Sequence, residues 1–360
     1  MPLILDAGRV PPRWAARKSS LSATSVKSQA PVDSVRLALI NNMPDAALED
    51  TEMQFFQLLE SAAGDIPVSL KLYSLPKLPR GDRARQHLAT FYAGIDDLWS
   101  RRFDGVIVTG TEPRQPNLRD EPYWPALVDV LDWAEHNTIS TVLSCLAAHA
   151  GVLYSDGIDR HPRRDKQFGV FHYRKVGDHA LIAGTPEVIR IPHSRWNELR
   201  EDALTSRGYL VLTQSAEAGV DLFVKKKGRS LFVHFQGHPE YEPHTLFKEY
   251  RRDVRRFLRG ERKTYPSMPH DYFDAARAQL FAAFREKALA DRREEVFAAF
   301  PDGVNAETME SAWRPSALCI YRNWLQYVAS RKVEISEFAG VARSGRVALS
   351  AQRMRGEDAG

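Results

Sequence analysis

Residues 139–157, ISTVLSCLAAHAGVLYSDG, decide how this chain is read. The first half is β-branched and apolar and predicts a buried strand. The second half is a run of small residues that opens a helix. One of only two cysteines, Cys145, stands at the changeover. A strand that turns sharply into a helix holds its corner residue above the sheet and aims the first helical N–H groups at it. A helix N-terminus and a basic partner both favour thiolate over thiol, so such a corner suits a nucleophile. The small residues Ala147, Ala148, Ala150 and Gly151 let the helix lie close to the sheet. The backbone N–H of Leu146 would form half of an oxyanion hole, and a donor from the Gly110–Thr111 loop the other half. Cys319, inside the apolar SALCIY segment, reads as ordinary packing.

Upstream, VRLALI (35–40) reads as a first strand ending at Asn41-Asn42-Met43-Pro44. ALEDTEMQFFQLLESAAG (47–64) reads as an amphipathic helix stopped by Gly64. VSLKLYSL (68–75) reads as a second strand, 84–101 as one helix, FDGVIVTG (103–110) as a third strand and YWPALVDVLDWAEHN as a helix. Strand and helix alternating at this spacing predict an α/β protein with a mostly parallel sheet and helices on both faces. Ligands of such sheets bind beyond the carboxyl ends of the strands. Three segments should therefore meet there: Asn42 to Asp45, Thr109 to Arg114, and Ser144 to Leu146. Short alternating strands between residues 179 and 240 predict an antiparallel or mixed extension of the same sheet.

A second signal follows SLFVHF. In QGHPEYEP, His238 and Glu240 are two apart, and Pro239 keeps His238 out of helical geometry. Residues i and i+2 of an extended segment face one side. A base held by an acid is what a thiol nucleophile needs. His234 lies on the preceding alternating strand and reads as packing against the sheet or facing solvent.

At 360 residues the chain can bury a large core, and a hydrophobic fraction of 43% is ordinary. Fifty basic against 46 acidic residues leave +4, too even for a dedicated nucleic-acid binder. No apolar stretch approaches the ~20 residues of a membrane span. The basic clusters at 160–166, 225–227 and 251–256 read as solvated surface, or as a landing site for a phosphorylated ligand. Two cysteines without metal-ligand spacing exclude a disulfide scaffold and a metal site, which favours a reducing, cytosolic setting. Residues 1–34, rich in Ser, Lys and Arg and without a continuous apolar core, are expected to be a flexible extension. The catalytic α/β domain is expected at 35–262, a helical segment packing on it at 263–335, and a flexible tail at 336–360.

The order NNMPD, ALEDTEMQF, DGVIVTG, YWPAL, Cys145, KQFGVF, PHSR, GHPEY, RRDV, WR and NWLQY resembles the homoserine O-acyltransferases of the succinyltransferase type. The resemblance runs from about residue 35 to 330. It implies a flavodoxin-like, class I glutamine amidotransferase-like fold with a C-terminal helical extension. It also implies a ping-pong reaction through a Cys145 thioester, with His238 as proton acceptor and Glu240 orienting it. Lys166, Ser194 and Arg252 would bind the amino-acid substrate. An acyl-CoA, succinyl-CoA by preference, would be the co-substrate, with no bound cofactor, and the family habit is a homodimer. The position of Arg114 helps choose the acyl group in the family, glycine going with succinyl and glutamate with acetyl. An arginine there could pair with a succinyl carboxylate. The chain departs from the family in having Leu146 for a tryptophan and His149 for a glutamine.

Three other readings stay open on the sequence alone. One keeps the chemistry but uses acetyl-CoA, or serine as acceptor. Another is a glutamine amidotransferase or related thiol hydrolase, which predicts a GxCxG elbow where this chain has Ser144 and Leu146. A non-catalytic binding module is the third.

Overall fold

The computed structural model describes residues 3–6, 9–21, 33–301 and 311–357. In chain order the strands are β1 (Leu3–Leu5), β2 (Val35–Ile40), β3 (Val68–Tyr73), β4 (Gly105–Val108), β5 (Ser140–Ser144), β6 (His161–Lys175), β7 (Val188–Glu198), β8 (Leu210–Val211), β9 (Thr213–Ser215), β10 (Gly219–Val220), β11 (Leu222–Lys227) and β12 (Ser230–Phe235). The helices are α1 (Pro12–Leu21), α2 (Asp45–Ala63), α3 (Asp82–Phe91), α4 (Ile95–Ser100), α5 (Trp124–Asn137), α6 (Leu146–Asp156), α7 (Glu201–Thr205), α8 (Thr245–Leu258), α9 (Ala275–Ala290) and α10 (Arg314–Glu357).

The main sheet runs β1-β3-β2-β4-β5-β12-β11-β8. Its first six strands are parallel, and β11 pairs antiparallel with both β12 and β8. Alternation along β2 makes the two faces: Leu37 and Leu39 join the core under α2 and α10, while Ala38 and Ile40 join the core under α5 and α6. This is an α/β fold with a mostly parallel sheet covered on both sides. The carboxyl ends of β2, β4, β5 and β12 lie along one edge and open the site described below.

Four differences from the sequence reading have physical causes. Residues 3–21 are not a loose extension where they are described. β1 adds in parallel to β3, and the Trp14 ring packs edge-on to Phe56 at 5.3 Å. An apolar LIL and one tryptophan suffice to tie down an otherwise polar segment. Residues 22–32 of that expected extension lie outside the described residues.

The expected helix at 84–101 is two, α3 and α4. The Ala93 N–H leaves the helix to bond Leu72 O at the end of β3, so the chain touches the sheet between them. The strands after residue 160 only partly extend the main sheet. β10-β9-β6-β7 form a separate four-stranded sheet, and β6 begins in the charged HPRRDK stretch that gave no strand pattern. Finally, the expected tail at 336–357 continues α10 as helix, and 358–360 lie outside the described residues.

The C-terminal segment is built into the fold. The Trp324 indole N–H donates to Ser140 Oγ on β5 at 2.9 Å, and the Trp313 indole N–H donates to Tyr241 O at 2.8 Å. Replacing Trp14 with alanine removes a side chain only 3% exposed. We expect that change to lower unfolding free energy by about 3–5 kcal/mol, read by urea titration. A midpoint equal to the parent's would mean that α1 adds nothing to the core.

Candidate active site

Cys145 is the residue between β5 and α6, and it has φ 51° and ψ −113°. A non-glycine residue at positive φ is strained and persists only when its surroundings hold it. Here the strand holds one side, because the Cys145 N–H donates to Phe235 O on β12 at 2.8 Å. The helix holds the other. A Cβ added at Gly151 would lie 2.4 Å from Leu143 Cδ1, so α6 rests on β5 with no room for a side chain. Cys145 is left partly exposed while Ser144 before it and Ala147 and Ala148 after it are buried.

The three expected segments do meet at this edge. The Asn42 N–H donates to Thr109 Oγ1 at 2.8 Å, and the Asn42 side chain accepts from the Leu75 N–H at 3.0 Å. Gly110 closes on the first residue of α6: a Cβ there would be 2.9 Å from Leu146 N. Only glycine allows this loop to lie against the helix start. Thr111 is half-buried beside it, and Arg114 is exposed, its backbone N–H donating to Glu121 Oε1.

His238 arrives from the end of β12. Its backbone N–H donates to Pro192 O at 2.8 Å, and Gly237 N–H donates to Asp221 Oδ1 at 2.7 Å. Its Nδ1 meets Glu240 Oε1 at 2.8 Å, which leaves Nε2 for the sulfur. The Tyr241 ring stacks on the imidazole at 4.2 Å. Burial would lower the His238 pKa. The charge of Cys145, then that of Glu240, and hydrogen bonds to both side chains hold it well above the usual histidine value. Sulfur, imidazole and carboxylate thus form one connected chain. His234 is elsewhere, stacked on Phe223 at 4.6 Å, and Cys319 bonds Ala183 O at 3.4 Å, far along the chain from this edge.

Lys166, Ser194 and Arg252 also converge, and what joins them is a residue the sequence reading missed. Glu249 Oε2 accepts from Ser194 Oγ and lies 3.5 Å from Lys166 Nζ and 3.8 Å from Arg252 Nη2. Its Oε1 accepts from the Tyr241 hydroxyl at 2.7 Å, which links this cluster to the ring stacked on His238. Burial works against ionisation of Glu249, but Lys166, Ser194 and Arg252 hold its carboxyl below the ordinary range. The available signal was its place one helical turn before Arg252 on the same face of α8.

A family model described as homoserine O-succinyltransferase matches residues 18–335. The chain belongs to the homoserine O-succinyltransferase family. Two homoserine O-succinyltransferases, from Methylorubrum extorquens and Rhodopseudomonas palustris, are each 46% identical to it over 297 and 296 residues. Those alignments cover 82% of this chain and 88% and 89% of the relatives. A solved glutamine amido transferase from Methylobacillus flagellatus aligns with 82% of this chain and 96% of its own, at 13% identity and TM-score 0.46. Among the described residues no helix is long and apolar enough to cross a membrane, and no cluster of His, Cys, Asp and Glu could hold a metal.

Because Glu240 raises the imidazole pKa, Glu240→Gln is expected to move the His238 titration to lower pH. Ring-proton NMR of the parent and variant reads it. An unmoved titration would mean that the carboxylate does not act on the ring.

Proposed function

We propose that Cys145 carries the acyl group in the reaction of this family, the transfer of a succinyl group from succinyl-CoA to the hydroxyl of homoserine at the start of methionine biosynthesis. The observation that supports it most is the connected Cys145–His238–Glu240 chain at a strained strand-to-helix corner. The sulfur attacks the thioester carbonyl, and the oxyanion forms against the Leu146 N–H and the Gly110–Thr111 loop. The CoA thiolate leaves with the proton held on His238, so CoA departs as the thiol. Homoserine then enters, His238 takes the proton of its hydroxyl, and the new oxygen–acyl bond forms as the Cys145–acyl bond breaks. The sulfur returns as thiolate beside the protonated ring, which is the starting state.

The raised imidazole pKa fits this cycle. Cys145 is the largest influence raising it, and acylation removes that negative charge. The ring therefore holds a proton ready for CoA before acylation, and becomes a better base once the acyl group is in place.

The Glu249 cluster fits the acceptor. A buried carboxylate is the natural partner of a substrate ammonium, Lys166 and Arg252 suit the α-carboxylate, and Ser194 orients Glu249. Asp253 stands behind Lys166 at 3.4 Å and keeps that amine in place. Arg114 is exposed on the loop after β4. An exposed ion pair contributes only about 0–1 kcal/mol, so we assign Arg114 to attracting the anionic donor rather than seating it.

Intact-mass analysis after incubation with succinyl-CoA should show one succinyl group on the parent chain and none on Cys145→Ala. An adduct on the alanine variant would place the nucleophile elsewhere. In single-turnover experiments the homoserine-dependent loss of that adduct should speed up as pH rises through the acyl-enzyme imidazole pKa, which lies below that of the free enzyme. A rate that is flat from weakly acidic to basic pH would remove His238 as the base. Glu249→Gln should raise the KM for homoserine about 10-fold or more in steady-state assays. An unchanged KM would remove Glu249 from the acceptor site.

A further inference from the structure

Three consecutive backbone N–H groups follow the end of β12, and each is fixed by a partner outside that strand. Gln236 N–H donates to Asp221 O at 3.2 Å, Gly237 N–H to Asp221 Oδ1 at 2.7 Å, and His238 N–H to Pro192 O at 2.8 Å. Asp221 thus holds two of the three, one through its backbone and one through its side chain. The Gln236 side chain ties the same place again, donating to Val220 O at 2.7 Å and accepting from the Leu199 N–H at 2.9 Å. Gly237 leaves no slack. An added Cβ would lie 2.8 Å from both Pro192 O and His193 Nε2.

Asp221 sits between β10 and β11, and its Oδ2 is buried with no hydrogen-bond partner. Such an oxygen is rare in a native fold and asks for a reason. Burial raises the carboxyl to about 6, and the Gly237 N–H and the charges of Arg195 and His238 work against that rise. The ionisable groups that face it are His193 and Arg195 from β7, Tyr173 from β6, and His238 and Glu240 beyond β12.

These neighbours are themselves fixed. Arg195 Nε donates to His193 Nδ1 at 3.1 Å, so the proton of that ring is on Nε2. Burial first, and then the charge of Arg195, hold the His193 pKa well below the usual histidine value, so the ring is neutral. Its Nε2–H donates to the Tyr173 hydroxyl at 2.7 Å and stands 3.6 Å from Asp221 Oδ1. Arg195 is anchored in turn by Asn197 O at 2.7 Å and Ala218 O at 2.6 Å. Tyr173, His193, Arg195 and Asp221 form one buried group, none of them more than 4% exposed. Side chains alternate along β7, so His193 and Arg195 face this group while Ser194 faces Glu249.

On the reading that His238 serves Cys145, we propose that Asp221 is a positioning residue for the imidazole, with His193, Arg195 and Tyr173 as its support. The carboxylate fixes Gly237, Pro192 O fixes His238 one residue later, and together they set where the ring stands between Cys145 and Glu240. Glu240 orients the ring from its side-chain end and Asp221 from its backbone end. A reacting group displaced by about 1 Å costs on the order of 100-fold in rate. A fixed base is what offsets the desolvation of a carboxylate here. The group also gives a role to the two residues of PHSR that flank Ser194.

The test follows the first turnover. The rate at which succinyl-CoA acylates the full-length parent, Asp221→Ala, Asp221→Asn and Tyr173→Phe is read by quenched intact mass, with ring-proton NMR of His238 on the same proteins. Asp221→Ala should be acylated about 10- to 100-fold more slowly. Its His238 titration should also move down toward the ordinary histidine value, because Cys145 and Glu240 raise it only at close range. Asp221→Asn keeps an oxygen for the Gly237 N–H and should recover most of the rate and the parent titration. Tyr173→Phe removes the acceptor of the His193 N–H and should slow acylation by a smaller factor; if Asp221→Ala does not fold, this variant decides. A lowered urea midpoint with parental acylation and titration overturns the proposal, since that is a role in stability alone. Equal losses in the asparagine and alanine variants overturn it too, because the bond to Gly237 would then not be what matters. A parent chain that takes no succinyl group overturns the reading of Cys145 and the proposal with it, whereas a parent and variants acylated at one rate overturn the positioning role alone.

Discussion

The contact between α6 and β5 is the constraint from which the rest of the site follows. With only hydrogen at Gly151, the helix lies directly on Leu143, and the strand ends one residue before the helix starts. That leaves a single position to make the turn, at a φ that an L-residue adopts only under compulsion. The strain is offset by the core on both sides of the bend. Its product is a partly exposed cysteine at the N-terminus of α6. A larger residue at 151 would push the helix off the sheet, and the corner would relax before the chemistry could be placed.

From that corner outward the site is a sequence of buried charges, each held by the next. The sulfur acts on His238, Glu240 on the ring, and the Tyr241 ring stacks against it and hands on to Glu249. Glu249 in turn is held by Lys166, Ser194 and Arg252. Single buried charges are costly, and a connected run shares the desolvation among partners. The Cys145–His238–Glu240 chain and the Glu249 cluster are therefore one electrostatic unit, with Tyr241 as the joint between them.

Much of this was legible because local rules decided it. The β-branched run before Cys145, the small residues after it and the Pro239 that extends His-x-Glu each act within a few residues, and each gave the element found. Glu249 was hidden because its meaning depends on β6 and β7, which bring Lys166 and Ser194 to α8 from some eighty and fifty-five residues earlier. β6 was itself hidden, since HPRRDK carries no apolar alternation and becomes a strand only by pairing with β7. The folding-in of Leu3–Leu5 and Trp14 was missed for the same reason: their partners, Val68–Leu70 and Phe56, are remote in sequence. The break between α3 and α4 comes from one sheet contact at Ala93 that no helix propensity encodes.

The two indole hydrogen bonds of the C-terminal segment have a bearing on synthesis. Trp324 braces the strand that presents the sulfur, and Trp313 braces the loop that presents the imidazole and its carboxylate. A chain still emerging from the ribosome has made both halves of the triad long before it has made either brace. The corner and the loop are therefore braced only after the segment that carries Trp313 and Trp324 has docked. A product terminated before Trp313 would carry Cys145, His238 and Glu240 and still lack both posts.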